Sequence, residues 1–165
     1  MRATLRLLSG ILLAAVTVAD AADAPAPTFT LAGKAGSQQV LGVADLQKLP
    51  VRDVNVADPH SKQQIHYRGV GLPALLALAS APLGDKLRGP ALATFVTVAA
   101  ADGYRVVFSL AELDGGVGNT DAILAFEADG KPLAAEAGPF RLVVPTDKRG
   151  ARWVRQVTKI EVIGP

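Results

Sequence analysis

Short runs of β-branched and aromatic residues, each closed by turn residues, dominate this sequence. Runs of four to eight such residues bounded by Gly, Pro, Asn or Asp are typical of strands. We predict strands at residues 28–32, 38–41, 51–57, 63–67, 94–99, 104–109, 123–127, 140–144 and 157–163. Because no regular alternation of strand and helix joins them, we predict an α+β fold with a mixed or mostly antiparallel sheet.

Turn residues and short apolar stretches supply the connections. Residues 33–36 and 101–103 predict two hairpin turns, and residues 58–61 predict a turn between paired strands. A helix is predicted at residues 43–49, before Pro50, and a buried one at residues 72–79, which are nearly all apolar. Ser109 followed by Glu112 fits a capping box, which predicts a single helical turn.

Composition excludes several classes of protein. The chain is 50% hydrophobic and 19% charged, which is too apolar for a disordered protein. Its length of 165 residues is sufficient for one domain. Seventeen Lys and Arg against fifteen Asp and Glu are interspersed, so nucleic acid is not an expected partner. The sequence contains no Cys, which excludes disulfides, thiolate nucleophiles and thiolate-ligated metals.

The first 24 residues resemble a secretory leader. Arg2 and Arg6 precede an apolar stretch at residues 7–18, and residues 19–21 and 22–24 both read Ala-Asp-Ala, a cleavage pattern. The stretch is well short of the roughly 20 residues that span a bilayer, which disfavours a membrane anchor. We therefore expect residues 1–24 to be a signal peptide without a twin-arginine pair, and residues 25–165 to be a periplasmic domain without a membrane span.

The densest group of cations lies near the C-terminus. A strand that is otherwise apolar and the Gly-containing loop after it carry Arg141, Lys148, Arg149 and Arg152. Guanidinium groups and free backbone amides bind phosphate or carboxylate oxygens, so these residues could form an anion site. The alternative is a solvated loop whose cations pair with acids such as Asp147 or Glu161.

One weak metal candidate and no hydrolase motif are present. Asp58, His60 and His66 could converge across a turn, but their spacing matches no known ligand pattern, and we favour a simple turn. Neither a Gly-x-Ser-x-Gly elbow nor His-Glu-x-x-His nor a P-loop occurs, and we assign no catalytic residue.

Four segments in register resemble the sulfite oxidase-like, oxidoreductase molybdopterin-binding domain family over most of residues 39–163. They are YRGVGLPALL at 67–76, ADGY at 101–104 with SLAEL at 109–113, LA at 124–125 with DGKPL at 129–133, and GPFRLVVP at 138–145 with RWVR at 152–155. The resemblance implies a mixed α+β fold and molybdopterin as a cofactor. It also implies that Arg141, Lys148, Arg149 and Arg152 approach the phosphate end of the pterin.

The same family implies a molybdenum-ligating cysteine after the strand at residues 51–56, where this chain has Ala57 or Asp58. We therefore expect a degenerate member that binds a small anionic ligand without redox catalysis of its own. The alternatives are a molybdopterin-dependent oxidoreductase or a subunit of one with an envelope redox partner, and an envelope interaction module that binds through a strand edge.

We predict that export removes the leader and leaves a mature chain beginning at Ala22 or Pro25, because each follows an Ala-Asp-Ala site. Intact-mass measurement of the periplasmic fraction tests this. A chain that keeps Met1 to Val18 and sediments with membranes would contradict the prediction.

Overall fold

Two sheets form the framework of the structure, a computed structural model that describes residues 26–118 and 120–165. The predicted signal peptide lies outside these residues. The strands are β1 (Thr28–Ala32), β2 (Gln38–Gly42), β3 (Val51–Ala57), β4 (Gln64–Gly71), β5 (Phe95–Ala100), β6 (Arg105–Ser109), β7 (Ile123–Ala128), β8 (Lys131–Pro132), β9 (Arg141–Val143) and β10 (Val157–Ile163). The helices are α1 (Val43–Leu46), α2 (Leu72–Leu78) and α3 (Leu110–Leu113). No helix in this part of the chain is long and apolar enough to cross a membrane.

The first sheet has the order β2-β1-β10-β5-β6 and is mixed. Strand β1 runs parallel to β10, with Thr30 opposite Lys159, whereas the other neighbours are antiparallel. Both predicted hairpins, β1 with β2 and β5 with β6, are present. The second sheet has the order β3-β4-β7-β8, and β9 also pairs with β7. The α+β fold with mixed sheets is confirmed.

Strand β4 continues past its predicted end at Tyr67 to Gly71, and Gly69 within it permits close packing on the neighbouring strand. A Cβ on Gly69 would lie 2.6 Å from Ala125 Cα on the neighbouring strand β7, so a larger side chain would collide with the backbone. The pairing of β4 with β7 shifts register between Arg68 and Gly69. Gly69 in the YRGV segment therefore lets the backbones of β4 and β7 come close together.

The helices are short and locally capped. The predicted capping box opens α3, since Ser109 Oγ accepts the Glu112 amide at 3.0 Å and Glu112 Oε1 accepts the Ser109 amide at 2.8 Å. Helix α1 ends at Leu46, three residues earlier than predicted, and residues 47–49 turn toward Pro50.

Aromatic side chains join the two sheets. Phe29 of β1 meets Phe140, which precedes β9, edge to face with ring centroids 5.0 Å apart, and both rings are buried. The chain between β9 and β10 continues this link, because the Leu142 amide donates to Val154 and the Val157 amide donates to Phe140. The ends of both sheets thus meet around residues 140–157.

We predict that Leu75→Ala or Leu76→Ala lowers the free energy of unfolding by about 2 to 5 kcal/mol, because both side chains of α2 are fully buried and truncation leaves a cavity. Leu78 on the same helix is 39% exposed, so Leu78→Ala is the matched control and should cost less than about 1 kcal/mol. Urea denaturation measures all three. Equal effects at the three positions would contradict the packing described.

Candidate functional site

A buried ion pair lies where β3, β4 and β9 come together. Arg141 opens β9 and its Nη2 lies 2.8 Å from Oδ2 of Asp58, which directly follows β3. The two side chains are only 9% and 6% exposed. Arg141 Nη1 donates to the hydroxyl of Tyr67 on β4, also at 2.8 Å. Arg141 is therefore bonded inside the protein through both terminal nitrogens.

Both carboxylate oxygens of Asp58 are already used. Oδ1 accepts the backbone amides of His60 and Ser61 at 2.9 Å, which forms the predicted turn at residues 58–61. Oδ2 accepts from Arg141 and, at 3.4 Å, from the Tyr67 hydroxyl. Burial alone would raise the pKa of Asp58, but the two amides and the Arg141 guanidinium outweigh it and lower this pKa to about 2. Asp58 is thus a fixed anion at neutral pH.

Aromatic rings enclose the Arg141 guanidinium. Its central carbon lies 5.5 Å from the ring centroids of both Tyr67 and Trp153, which is within cation–π range. The Trp153 indole donates its N–H to the Val144 carbonyl at 2.9 Å. Burial raises the pKa of Tyr67, so the phenol keeps its proton. Arg141 Nε is buried without a hydrogen-bond partner among the described residues, as is Thr94 Oγ1.

A second, more exposed cluster surrounds Arg152. Its Nε and Nη2 donate to the two oxygens of Asp147 at 2.8 and 2.6 Å, and Nη1 donates to Glu112 Oε2 at 3.0 Å. Its guanidinium also lies 4.3 Å from the Phe108 ring centroid. The hydrogen bonds to Asp147, and then those to Glu112, raise the pKa of Arg152 despite partial burial. Arg152 therefore ties the loop that follows β9 to α3.

The four cations of the predicted anion site fall into two groups. Arg141 and Arg152 each bind their own acid partners inside the fold. Lys148 and Arg149 are exposed on the loop between them, and neither pairs with an acid among the residues described. The predicted alternative, a loop cation paired with Asp147, is therefore present at Arg152.

Asp58, His60 and His66, the weak metal candidate, do not come together as a site. Asp58 caps its turn, and His66 on β4 lies 3.5 Å from Asp53 on β3. In the part of the chain that the structure describes, no three His, Asp or Glu side chains come together as metal ligands would. The turn interpretation of residues 58–61 is confirmed.

A pocket of about 390 Å³ opens beside these clusters. Its walls come from the β3–β4 turn, the β5–β6 turn, residue 136 and the segment before β10. The lining residues are His60, Ala100, Asp102, Tyr104, Glu136, Gly150, Ala151, Trp153, Val154, Arg155 and Gln156.

Among the pocket-lining residues, sequence reasoning named only His60 as a possible ligand-site residue, in the weak metal candidate. Arg155 belongs to the RWVR segment and could have been included with the loop cations on that ground. Asp102 was noted only within the ADGY segment and Glu136 not at all, because only the folded chain brings their distant segments together.

The fold and the comparisons agree on the kind of protein. Residues 53–164 match the family model described as the oxidoreductase molybdopterin binding domain, and the chain belongs to this family. Among solved structures it is similar to the sulfane dehydrogenase SoxCD from Paracoccus pantotrophus, with a TM-score of 0.60 and 23% sequence identity. The alignment covers 82% of this chain but only 37% of that chain. A search of curated proteins found no match.

The residues present do not fit a thiolate-ligated molybdenum centre. No Cys occurs in the sequence, and the carboxylate of Asp58, which follows β3, is fully engaged by Arg141, Tyr67 and two amides. An oxygen ligand at this position would have to break a buried ion pair. No reaction step through molybdenum is therefore assigned to this site.

We predict that Arg141→Met lowers the free energy of unfolding at pH 7 by about 3 to 5 kcal/mol, because it leaves Asp58 buried as an unpaired anion. Arg149→Met changes an exposed cation of the same segment and should stay within about 0.5 kcal/mol. Chemical denaturation of both variants measures the difference.

The loss of stability in Arg141→Met should also depend on pH. The pKa of Asp58 is lowered by folding, so the stability that its charge contributes is present above about pH 4 and is lost as the pH falls toward 2. The gap between Arg141→Met and the unchanged protein should therefore narrow below pH 4. A gap that is small at pH 7 would make Arg141 available for a ligand and contradict its internal role.

Proposed function

We propose that this chain is a periplasmic, thiolate-free member of the molybdopterin-binding domain family that binds a small anionic ligand. In this proposal the ligand resembles a pterin phosphate and the chain does not carry out redox catalysis alone. The observation that supports it is the contrast between paired and unpaired charges. Asp58, the acid after β3, forms a buried ion pair with Arg141, while Lys148, Arg149 and Arg155 are exposed in or beside the pocket.

Three cations are placed to meet an anion. Arg155 lines the pocket, and Lys148 and Arg149 directly precede Gly150 and Ala151, which form one of its walls. None of the three has an acid partner within ion-pair distance among the described residues. Arg141 and Arg152 then serve a different purpose, because they hold the two ends of this loop in place.

The pocket has the size and walls for a small ring compound. Its volume of about 390 Å³ falls in the usual range for small-molecule sites. Trp153 is one of its lining residues, and the indole N–H is already bound to the Val144 carbonyl. The Tyr104 hydroxyl donates to the Ala151 carbonyl at 2.7 Å, which fixes a second aromatic ring at the rim.

A second candidate function is a molybdopterin-dependent oxidoreductase, or a subunit of one with a redox partner. Family membership favours it, and so does the match of this chain to only 37% of a sulfane dehydrogenase chain, since such a domain could act with further domains or subunits. Metal analysis of protein purified from its native periplasm separates the two. Stoichiometric molybdenum with electron-transfer activity would favour the oxidoreductase.

We predict that pterin phosphates, nucleotides, sulfate or small carboxylates raise the melting temperature of the mature protein. Ligand at 100 times its Kd stabilises by about 2.7 kcal/mol, which a thermal shift resolves. The double variant Lys148→Gln/Arg149→Gln should weaken binding at least about tenfold, because two charge-assisted contacts are lost.

The control is Lys86→Gln/Arg88→Gln, which removes the same two charges at exposed positions outside the pocket lining. It should bind as the unchanged protein does. Equal weakening by both double variants would mean that only net charge matters. Inertness toward every anion would contradict the proposal.

A further inference from the structure

The pocket presents charges of both signs, and this narrows the class of ligand. Resting on the proposed function, we infer that the pocket accepts a zwitterion of amino-acid size, whose anionic group meets Arg155 and whose protonated amine meets Asp102 and Glu136. The argument depends on which charged groups are paired, on how the backbone places them, and on the aromatic walls.

The charged lining is unpaired. Two acid–base pairs lie beside the pocket, Asp58 with Arg141 and Asp147 with Arg152. Arg155, Asp102 and Glu136 all line the same pocket, yet none has an opposite charge within 4.0 Å in the described ranges 26–118 and 120–165. A pocket with such a lining offers both kinds of charged contact to one ligand.

Backbone hydrogen bonds place the two carboxylate segments on either side of the arginine segment. The Ala101 amide donates to the Gln156 carbonyl at 3.0 Å, and the Gln156 amide donates to the Ala137 carbonyl at 2.9 Å. Asp102 follows the first contact along the chain and Glu136 precedes the second. The Arg155–Gln156 segment is thereby bracketed by one acid from each neighbour.

The carboxylate of Asp102 is also partly oriented. Its Oδ1 accepts the Tyr104 amide at 2.9 Å, whereas Oδ2 accepts no hydrogen bond from a described residue. The Gln156 side chain is held by donating to Ala135 at 2.8 Å. One acceptor oxygen therefore remains available at a fixed turn for an ammonium group.

Aromatic walls favour the same ligand. Tyr104 lines the pocket and is 49% exposed, whereas Trp153, which also lines it, is only 5% exposed. Ring faces attract an ammonium group and pack against an aliphatic or aromatic side chain. A simple anion would make no contact with the two carboxylates, whereas a zwitterion would use both them and the arginine.

Calorimetric titration with matched compounds tests the inference. The probes are the free amino acids and glycine betaine as zwitterions, the N-acetyl amino acids, which lack the cation, and the amino acid amides, which lack the anion. We expect at least one zwitterion to bind at least tenfold tighter than both of its blocked derivatives.

Variants assign the two ends of the ligand. Asp102→Asn/Glu136→Gln should remove the preference for the free amine and leave binding of the N-acetyl derivative unchanged, whereas Arg155→Gln should weaken the zwitterion and spare the amide. Asp85→Asn, an exposed acid outside the pocket lining, is the control and should change neither. Unliganded melting temperatures show that each variant is folded.

The outcomes separate this inference from the proposed function. If sulfate, pterin phosphates or N-acetyl amino acids bind as tightly as any zwitterion, the pocket is an anion site and the inference is wrong. If zwitterions bind but the carboxylate variants keep the full preference, the ligand lies elsewhere and the inference is also wrong. If no probe of any class binds, both proposals are wrong.

Discussion

The packing of the turn after β3 against the start of β9 depends on the buried ion pair of Asp58 and Arg141. A guanidinium that is 9% exposed needs a compensating anion, and removal of either partner would leave a charge in a medium that solvates it poorly. Together with Tyr67, the pair joins β9 to the distant hairpin of β3 and β4, because Asp58 follows β3, Tyr67 lies in β4 and Arg141 opens β9. The geometry at the sheet ends is therefore set by electrostatics as well as by apolar packing.

This arrangement divides the polar residues into two populations. Asp58, Arg141, Asp147 and Arg152 are used in the walls, where their hydrogen bonds fix the turn after β3 and the loop after β9. Among the described residues, the charged residues that line the pocket or precede its wall form no ion pair. A group already satisfied inside the protein gains little from a ligand and would lose its internal bond, so we expect a ligand to meet the second population.

Local signals predicted the elements of the fold well, because strand runs, the Asp-Gly turn and the Ser109 capping box depend on neighbouring residues. Sequence reasoning ended β4 too early, at Tyr67, because the alternating pattern stops there, whereas the role of Gly69 depends on the approach of β7. The family resemblance pointed to Arg141, Lys148, Arg149 and Arg152 as one ligand-binding segment, and this stays a prediction. It could not show that Arg141 meets an acid 83 residues away, nor that the segment of Glu136 meets that of Arg155. Such pairings are properties of the topology.

The ion pair and the pocket are coupled through packing. The turn that Asp58 holds carries Pro59 and His60, and a Cβ on Gly150 would lie 2.6 Å from Pro59 Cγ and 3.1 Å from His60 Nε2. Glycine at this position lets the loop that carries the exposed cations lie directly against the turn, and both His60 and Gly150 line the pocket. Loss of the Asp58 charge would loosen the turn and with it one wall of the pocket. The acid after β3 thus has a structural consequence, because its internal salt bridge shapes the neighbouring pocket.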